Sequence, residues 1–349
     1  MLYEEPLIMN KLNWVESTVL VTGGTGSFGK AFIKRVLKEH KPKKLIVFSR
    51  DELKQFEMSN EVEDKCLRFF LGDVRDKDRL YRAFQDVDVV VHAAALKQVP
   101  AAEYNPFEFV KTNVLGAANI VDAAIDCGVK KVLALSTDKA ANPVNLYGAT
   151  KLCSDKLFVT ANAYAGSKPT RFSIVRYGNV LGSRGSVIPL FLKMRQSGVL
   201  NLTDKRMTRF WLTLDQGVEF VLSCIDWMHG GEIFVPKIPS MKLMDLAKAI
   251  GPDCEFTYSG IRPGEKLHEV LVPRDEAPWC VEFDDRYVIQ PSQLWWDQEQ
   301  LLNNGGKKVA DGFRYRSDLN DSWLSNEQLK ELIAPMEKEA EQELSASSL

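Results

Sequence analysis

Short apolar runs alternate with amphipathic stretches through the first half of this 349-residue chain. Runs rich in valine, isoleucine and leucine have the length of strands: TVLVTG from Thr18, KLIVFSR from Lys44, LRFFLGD from Leu67, DVVVHAAA from Asp88, KVLALST from Lys131 and FSIVRYGN from Phe172. Continuous apolar strands separated by helices are typical of a parallel sheet that helices cover on both faces. The pattern therefore predicts an α/β fold with a doubly wound parallel sheet, whose ligands bind outside the carboxyl ends of the strands.

The pattern changes after Asn179, which indicates a second, smaller unit. We assign residues 17–179 to a dinucleotide-binding (Rossmann) domain completed by about 212–236, and residues 180–211 and 237–330 to a smaller α/β substrate-binding domain. Residues 1–16 form an N-terminal extension, and the charged segment 336–349 is expected to be a mobile tail. Within the smaller unit, RMTRFWL is expected to be loop and helix material.

Composition argues against several classes of protein. A net charge of −2 gives no reason to expect a nucleic acid or an anionic membrane as partner. The cysteines and histidines lack the spacing of zinc ligands or of a disulfide framework, so no metal site is expected. The first residues lack the basic and apolar regions of a signal peptide, and no window approaches the roughly 20 apolar residues of a membrane helix. These observations favour a cytoplasmic protein.

The glycine-rich stretch VTGGTGSFG follows the first predicted strand and opens the first predicted helix. Gly23, Gly26 and Gly29 form a shifted version of the dinucleotide-binding motif. Such glycines allow a tight turn, the approach of a pyrophosphate to backbone N–H groups, and close packing of helix on strand. The other residues of this loop that are expected to contact a cofactor are Thr25, Ser27 and Phe28.

The end of the second predicted strand indicates which dinucleotide binds. Ser49 and Arg50 stand where an NAD-binding protein usually has an acid. A guanidinium and a hydroxyl suit a 2′-phosphate, which a carboxylate would repel, so NADP is predicted rather than NAD. Asp51 lies close to this position, but its expected role is to cap the following helix. The remaining residues expected around the cofactor are Glu52, Leu53, Lys54, Asp73, Val74, Ala93, Ala94 and Lys97.

The stretch STDKAANPVNLYGATK, at the exit of the fifth predicted strand, is dense in groups that can move protons. Tyr147 and Lys151 are four residues apart, so they share a helix face, and a lysine ammonium beside a phenol lowers its pKa. Asp138 and Lys139 have two interpretations. They are either an exposed ion pair of little energetic value or an additional acid/base pair at a catalytic strand exit.

These motifs resemble the extended short-chain dehydrogenase/reductase superfamily. Within it, TGGTGSFG, SRDELKQFEM, KQVPAAEYNP, STDKAANPVNLYGATKL and RYGNVLGSRGSV resemble the inverting UDP-N-acetylglucosamine 4,6-dehydratases that begin pseudaminic acid synthesis. The similarity extends from about Asn13 to Leu324. It implies NADP as cofactor, UDP-N-acetylglucosamine as substrate, and a homo-oligomer, either a dimer or a hexamer.

The resemblance also implies a role for each group at the strand exit. Tyr147 would take the C4 hydroxyl proton while the C4 hydride passes to NADP⁺, and Lys151 would lower the pKa of Tyr147. Lys139 would take the C5 proton, and Asp138 would protonate the departing C6 hydroxyl. Hydride then returns to C6, and C5 is reprotonated from the opposite face. Thr137 would hydrogen-bond the C4 oxygen. Lys139 can act as a base only if its pKa is depressed.

A UDP-sugar carries two phosphates, which basic side chains would bind. The resemblance implies that Arg209 and Arg262 reach the diphosphate and that Glu265 holds an arginine or the ribose. Lys266 is interpreted as a solvated surface charge. The other expected substrate contacts are Lys97, Asn179 and Arg316.

Three other functions fit part of the pattern. A non-inverting 4,6-dehydratase differs only in stereochemistry, which residue spacing does not show. A UDP-sugar 4-epimerase would need Tyr147 and Lys151 but no acid/base pair for elimination. A non-catalytic NADP-sensing regulator would keep the fold, yet such proteins often lose the tyrosine or the lysine.

Overall fold

The computed structural model describes residues 11–181, 187–293 and 295–347, and the side chains of 339–347 are not described. The first ten residues of the expected N-terminal extension and the last two of the expected tail therefore lie outside the described residues. So do residues 182–186, which belong to the RYGNVLGSRGSV motif.

Strands and helices alternate through the first half, as the apolar pattern predicts. A π-helical segment, Val110–Leu115, precedes α6, and a 3-10 turn, Asp138–Ala140, follows β5. The elements in chain order are β1 (Thr18–Thr22), α1 (Ser27–Glu39), β2 (Lys44–Ser49), α2 (Glu52–Glu61), β3 (Leu67–Leu71), α3 (Lys77–Ala83), β4 (Val89–His92), α4 (Val99–Tyr104), α5 (Pro106–Phe109), α6 (Gly116–Cys127), β5 (Lys131–Thr137), α7 (Leu146–Tyr164) and β6 (Arg171–Tyr177).

The second half contains shorter elements. In chain order they are β7 (Asn179–Val180), α8 (Val187–Arg195), β8 (Val199–Leu202), β9 (Thr208–Leu212), α9 (Leu214–Trp227), β10 (Ile233–Pro236), β11 (Ser240–Lys242), α10 (Leu243–Ile250), β12 (Glu255–Tyr258), β13 (Val270–Val272), β14 (Cys280–Glu282), β15 (Arg286–Ile289), α11 (Glu299–Asn303), β16 (Lys307–Lys308), β17 (Tyr315–Arg316) and α12 (Asn326–Ser347). Among the described residues, no helix carries an apolar stretch long enough to span a bilayer.

One ten-stranded sheet organises the molecule, in the order β16–β14–β15–β10–β6–β5–β4–β1–β2–β3. Its strands from β10 to β3 are parallel, and β15, β14 and β16 are antiparallel additions at one edge. The predicted doubly wound parallel sheet is confirmed. Strand order reverses between β1 and β4, and ligands of such sheets bind at this switch point.

The expectation for RMTRFWL is wrong, because Thr208–Leu212 forms β9 at the centre of a three-stranded sheet with β11 and β7. Phe210 and Leu212 pack into the hydrophobic cluster of the large sheet, whereas Trp211 packs into a second cluster. Both faces of the strand are therefore covered, and the apolar/polar alternation that reveals a half-buried strand is missing.

The second hydrophobic cluster lies apart from the large sheet and joins α8, β8, α10 and α12 through residues such as Ile188, Leu200, Leu246 and Leu329. Strands β14 to β16 fall within the 237–330 segment assigned from sequence to the substrate-binding domain, yet they pair into the large sheet. We therefore propose a substrate-binding unit centred on the second cluster, with residues 280–308 counted with the large sheet.

Candidate active site

A cleft of about 1260 Å³ opens at the carboxyl ends of the parallel strands. Its walls come from the segments that follow β1, β2, β3, β4, β5 and β6, and from the Arg262–Glu269 loop of the smaller unit. Pockets for one drug-sized ligand measure roughly 300–1,000 Å³. The cleft therefore has room for a dinucleotide together with a second ligand.

The glycine loop forms one end of the cleft. Gly23 has φ of +66°, and a Cβ atom there would lie 2.9 Å from the backbone nitrogen of Ala94. A Cβ atom on Gly29 would lie 2.6 Å from Gly24, so α1 packs closely on the loop. Gly26 caps α1 without a side chain, which leaves the helix N-terminus accessible to an anion. This geometry fits a dinucleotide pyrophosphate, and Thr25, Ser27 and Phe28 also line the cleft.

Some of the residues after β2 line the cleft and others do not. Ser49, Arg50, Asp51 and Lys54 line the cleft, and Arg50 keeps 57% of its side chain exposed, 3.8 Å from Asp73. The Asp51 side chain accepts a hydrogen bond from the Lys54 N–H, so the interpretation of Asp51 as a helix cap is confirmed.

Two residues of this segment do not belong to the cleft. Glu52 and Leu53 are absent from its described lining, and Leu53 is exposed, because the first turn of α2 directs them away from the strand ends. The Lys54 ammonium is held by the Asp51 carboxylate. The other predicted cofactor residues that line the cleft are Asp73, Val74, Ala93, Ala94 and Lys97.

The strand exit after β5 places Asp138 and Lys139 inside the molecule. The Lys139 Nζ donates to Asp138 Oδ1 at 3.0 Å and lies 3.7 Å from Glu269 Oε1. Thr137 donates its hydroxyl to the same Asp138 oxygen at 2.9 Å. Asp138 is fully buried, and only 26% of the Lys139 side chain is exposed. An exposed ion pair is therefore the wrong interpretation of these two residues.

The same exit shows an unexpected feature of Asp138. Thr137, Lys139, Tyr147 and Lys151 all line the cleft, whereas Asp138 is not part of its described lining. The 3-10 turn after β5 directs the Asp138 carboxylate toward Thr137 and Lys139 instead. Any exchange of protons between Asp138 and a ligand must therefore pass through a neighbouring group.

A glycine that the sequence analysis passed over brings Tyr147 to Lys139. Helix α7 begins where the Asn145 side chain accepts a hydrogen bond from the Gly148 N–H at 2.8 Å. A Cβ atom on Gly148 would lie 2.1 Å from the Lys139 carbonyl oxygen. Only glycine allows the first turn of α7 to approach the strand exit this closely.

The electrostatics of Tyr147 differ from the expectation. Burial raises the pKa of Tyr147 to about 12, although the charge of Lys139 and a hydrogen bond with Thr137 act against that rise. The strongest cationic influence on the phenol thus comes from Lys139. Lys151 donates to the Leu135 carbonyl at 2.8 Å, and the charge of the buried Asp155 favours its ammonium form.

Lys139 also departs from the expectation. Burial disfavours its ammonium form, but the carboxylates of Asp138 and Glu269 outweigh burial and raise the pKa of Lys139 above its ordinary value. The depressed pKa that a basic role requires is therefore not found, and Lys139 holds its proton in this structure.

Arg209 and Arg262 line the cleft in different ways. The Arg209 guanidinium donates to the carbonyls of Thr208, Lys266 and Leu267, so it holds the loop that follows Arg262. Arg262 leaves 63% of its side chain exposed at the cleft, 4.0 Å from Glu265. Arg262 therefore has donors available for a ligand, whereas Arg209 would have to exchange existing hydrogen bonds.

Lys266 departs from the expectation, and Arg316 lies outside the cleft lining. Lys266 is no solvated surface charge, because it lines the cleft and donates to the Ala141 carbonyl at 2.6 Å. Arg316 is not part of the described cleft lining, because its guanidinium is held by the Asp318 carboxylate. Asn179 and Glu265 do line the cleft. Among the described residues, no group of histidine, cysteine or carboxylate side chains could hold a metal ion.

Glu269 is the functional candidate that sequence reasoning missed. It closes the polar stretch GIRPGEKLHE, yet nothing in that pattern shows which of its two glutamates turns inward. In the structure Glu269 lines the cleft with 3% of its side chain exposed.

Known proteins resemble this chain over most of its length. Residues 19–291 match the family described as "Polysaccharide biosynthesis protein". The chain belongs to this family. It is 57% identical over 322 residues, 90% of this chain and 96% of the relative, to a UDP-N-acetylglucosamine 4,6-dehydratase (inverting) of Campylobacter jejuni. The predicted family resemblance is thereby confirmed. It is also 40% identical over 332 residues, 93% of this chain and 97% of the relative, to a UDP-glucose 4-epimerase of Rickettsia conorii.

Solved structures share the fold. Pen from Bacillus thuringiensis superposes with a TM-score of 0.84 at 38% identity, over 93% of this chain and 99% of its own. DesIV, a dTDP-glucose 4,6-dehydratase from Streptomyces venezuelae solved with NAD, gives a TM-score of 0.63 at 26% identity, over 72% of this chain and 86% of its own. The fold is thus that of short-chain dehydrogenase/reductase dehydratases.

Proposed function

We propose that this protein is an inverting UDP-N-acetylglucosamine 4,6-dehydratase, which forms UDP-2-acetamido-2,6-dideoxy-β-L-arabino-hex-4-ulose. The observation that carries this proposal is the inward-facing Asp138–Lys139 pair next to Tyr147. Oxidation or 4-epimerisation needs a base at C4 alone, whereas elimination of water also needs a proton acceptor at C5 and a proton donor at C6. The 57% identity to the Campylobacter jejuni enzyme supports the substrate.

NADP is the proposed cofactor, held at its pyrophosphate by Gly23, Gly26 and Gly29 and at its 2′-phosphate by Ser49 and Arg50. When bound, its nicotinamide supplies the group that accepts a hydride from C4 and returns it to C6. Lys151, anchored on Leu135 and facing Asp155, would bind the nicotinamide ribose hydroxyls.

Tyr147 would accept the proton of the C4 hydroxyl as C4 is oxidised. Its pKa of about 12 in this structure means that the phenolate must be stabilised before the reaction. The charge of Lys139 is the strongest such influence within the protein. The 4-ketone that results acidifies the C5–H bond, which prepares the elimination.

In this structure Lys139 carries the proton of the Asp138–Lys139 pair. Elimination needs the reverse, a neutral Lys139 and a protonated Asp138. Moving one proton along their 3.0 Å hydrogen bond makes Lys139 a neutral base and Asp138 a protonated acid. The C5 proton then binds to the Lys139 nitrogen, the electron pair of the C5–H bond forms the C5=C6 double bond, and the C6–O bond breaks.

The departing hydroxide receives its proton from Asp138. Because Asp138 is not part of the cleft lining, we propose that the Thr137 hydroxyl relays this proton, since it lines the cleft and lies 2.9 Å from Asp138 Oδ1. Asp138 protonates the Thr137 oxygen as Thr137 gives its own proton to the leaving group, so water is released and Asp138 returns to its carboxylate.

Mass spectrometry of the product after incubation with UDP-N-acetylglucosamine and NADP⁺ tests the function. Loss of one water supports a 4,6-dehydratase. An unchanged mass with an inverted C4 centre would instead support a UDP-sugar 4-epimerase, the activity named for the Rickettsia conorii relative. Tight NADP binding without any conversion of nucleotide sugars would support a regulator.

Replacing Arg50 with alanine tests the choice of NADP. A charge-assisted hydrogen bond contributes roughly 1.5–3 kcal/mol, which corresponds to about 10- to 100-fold in affinity. We expect a loss of this size for NADP and little change for NAD, measured by calorimetry. Arg82→Ala, an exposed arginine at the end of α3, is the matched control. Equal losses for both dinucleotides in Arg50→Ala would show that the 2′-phosphate is bound elsewhere.

We further propose that the protein acts in the cytoplasm as a homo-oligomer, at the entry to pseudaminic acid synthesis. The six free cysteines support a reducing compartment. The oligomer and the pathway are supported by the family resemblance.

A further inference from the structure

Glu269 is held rigidly at the base of the cleft. It immediately precedes β13, and its backbone N–H donates to the Ser317 hydroxyl at 2.9 Å while its carbonyl accepts the Ser317 N–H at 2.9 Å. These two hydrogen bonds fix the backbone position from which the Glu269 side chain extends.

The Glu269 carboxylate faces two cations and the cleft. Its Oε1 atom lies 3.7 Å from Lys139 Nζ and 3.7 Å from Arg209 Nε. Its Oε2 atom is buried and has no hydrogen-bond partner among the described residues. A buried carboxylate oxygen without a partner is costly, so this arrangement points to a function that uses the charge.

Lys139 therefore sits between two buried carboxylates of different kinds. Asp138 belongs to its own 3-10 turn and contacts Lys139 directly, whereas Glu269 approaches from the smaller unit. The charged and titratable groups that face Lys139 from all packed elements are Asp138, Glu269, Arg209, Tyr147, Lys97 and Lys266. Within this set, the acidic groups closest to the ammonium are Asp138 and Glu269.

We propose that Glu269 is a positioning residue that orients Lys139 in the cleft and stabilises the ammonium formed when Lys139 accepts the C5 proton. This inference rests on the proposed function. When Asp138 carries the proton for the leaving group it is neutral, and Glu269 is then the carboxylate that balances the charge of Lys139. A base oriented by a third group is the arrangement that many enzymes use for proton transfer.

The direct test follows the proton affinity of Lys139. Glu269→Gln keeps the size of the side chain and removes its charge, so we expect the pKa of Lys139 to fall, a loss of about tenfold in proton affinity. The measurement is a ¹³C NMR titration of protein labelled at the lysine ε-carbons, with the Lys139 signal assigned from the Lys139→Arg variant. Glu282→Gln, which breaks a 2.7 Å pair with Lys237 outside the cleft, is the control. An unchanged Lys139 titration in Glu269→Gln, or an equal change in Glu282→Gln, would overturn the proposal.

Turnover provides the second readout. Elimination needs one proton on the Asp138–Lys139 pair, because neutral Lys139 acts together with protonated Asp138, so kcat should fall at high pH where the pair loses that proton. In Glu269→Gln the lower proton affinity of Lys139 should move this falling limb of kcat to lower pH, with KM for UDP-N-acetylglucosamine nearly unchanged and the plateau of kcat reduced about tenfold. A reduced kcat with an unmoved limb would mean that Glu269 is merely structural, which contradicts the proposal.

A third variant keeps the test valid if Glu269→Gln does not fold. Glu269→Asp keeps the negative charge but moves it farther from Lys139, because the side chain is one methylene shorter. The proton affinity of Lys139 in this variant should therefore lie between those of wild type and Glu269→Gln. This variant decides the question if Glu269→Gln does not fold, and an unchanged titration in it then refutes the proposal. The NMR titration needs no turnover. An inactive wild-type protein would therefore contradict the proposed dehydratase while leaving the test of Glu269 intact.

Discussion

Replacing Tyr147 with phenylalanine should strongly slow the reduction of NADP⁺ by UDP-N-acetylglucosamine. The variant loses the proposed acceptor of the C4 hydroxyl proton, and a positioned acid or base contributes about 10²- to 10⁴-fold in rate. We expect a single-turnover rate of cofactor reduction, followed by absorbance, that is lower by this factor. The affinity for the UDP-sugar should be nearly unchanged, because the phenol contributes one hydroxyl to a large cleft.

Tyr81→Phe is the matched control for that experiment. Tyr81 lies on α3 and its hydroxyl donates to Asp126 on the protein surface, so its loss removes the same atom away from the cleft. Normal cofactor reduction in Tyr147→Phe would refute the assignment of Tyr147 as the C4 base.

Replacing Lys139 with alanine should separate oxidation from elimination. Some hydride transfer from C4 should persist because Tyr147 is still present, although it should be slower than in wild type because the charge of Lys139 that favours the phenolate is lost. Removal of the C5 proton should slow by about 10²- to 10⁴-fold, so reduced cofactor accumulates and deuterium from the solvent does not enter C5. The measurement is mass spectrometry and NMR of the sugar after reaction in D₂O.

Lys130→Ala provides the comparison for Lys139→Ala. Lys130 forms a surface pair with Asp88 at 2.9 Å and keeps 67% of its side chain exposed, so its removal should leave elimination unchanged. Deuterium incorporation at C5 at the wild-type rate in Lys139→Ala would exclude Lys139 as the base.

The fold was predictable because it depends on local patterns. The apolar runs beginning near Thr18, Lys44 and Lys131 each form a parallel strand of the large sheet, and the glycine loop follows β1. Strand β9 was mispredicted because both of its faces are covered, so its side chains show no alternation. Strands β14 to β16 return to the large sheet from a distant part of the chain, and local composition carries no information on such pairing.

The sequence predicted the site correctly where residues close in the chain act together. The prediction failed where distant segments of the chain meet. Gly23, Arg50, Lys139 and Tyr147 all line the cleft, as motif spacing indicated. The raised pKa of Lys139 depends on its neighbour Asp138 and also on Glu269. Glu269 comes from the smaller unit, and no spacing rule links it to Lys139.

The stereochemistry at C5 tests the central claim most directly, namely that the Asp138–Lys139 pair removes water across C5 and C6. Wild-type protein would be incubated with UDP-N-acetylglucosamine and NADP⁺ in D₂O, and the early product resolved by proton NMR. The account predicts a 4-keto sugar that has lost one water, carries one deuterium at C5, and is inverted there. A product that keeps all its oxygen, one with no solvent deuterium at C5, or one that retains the C5 configuration would contradict it.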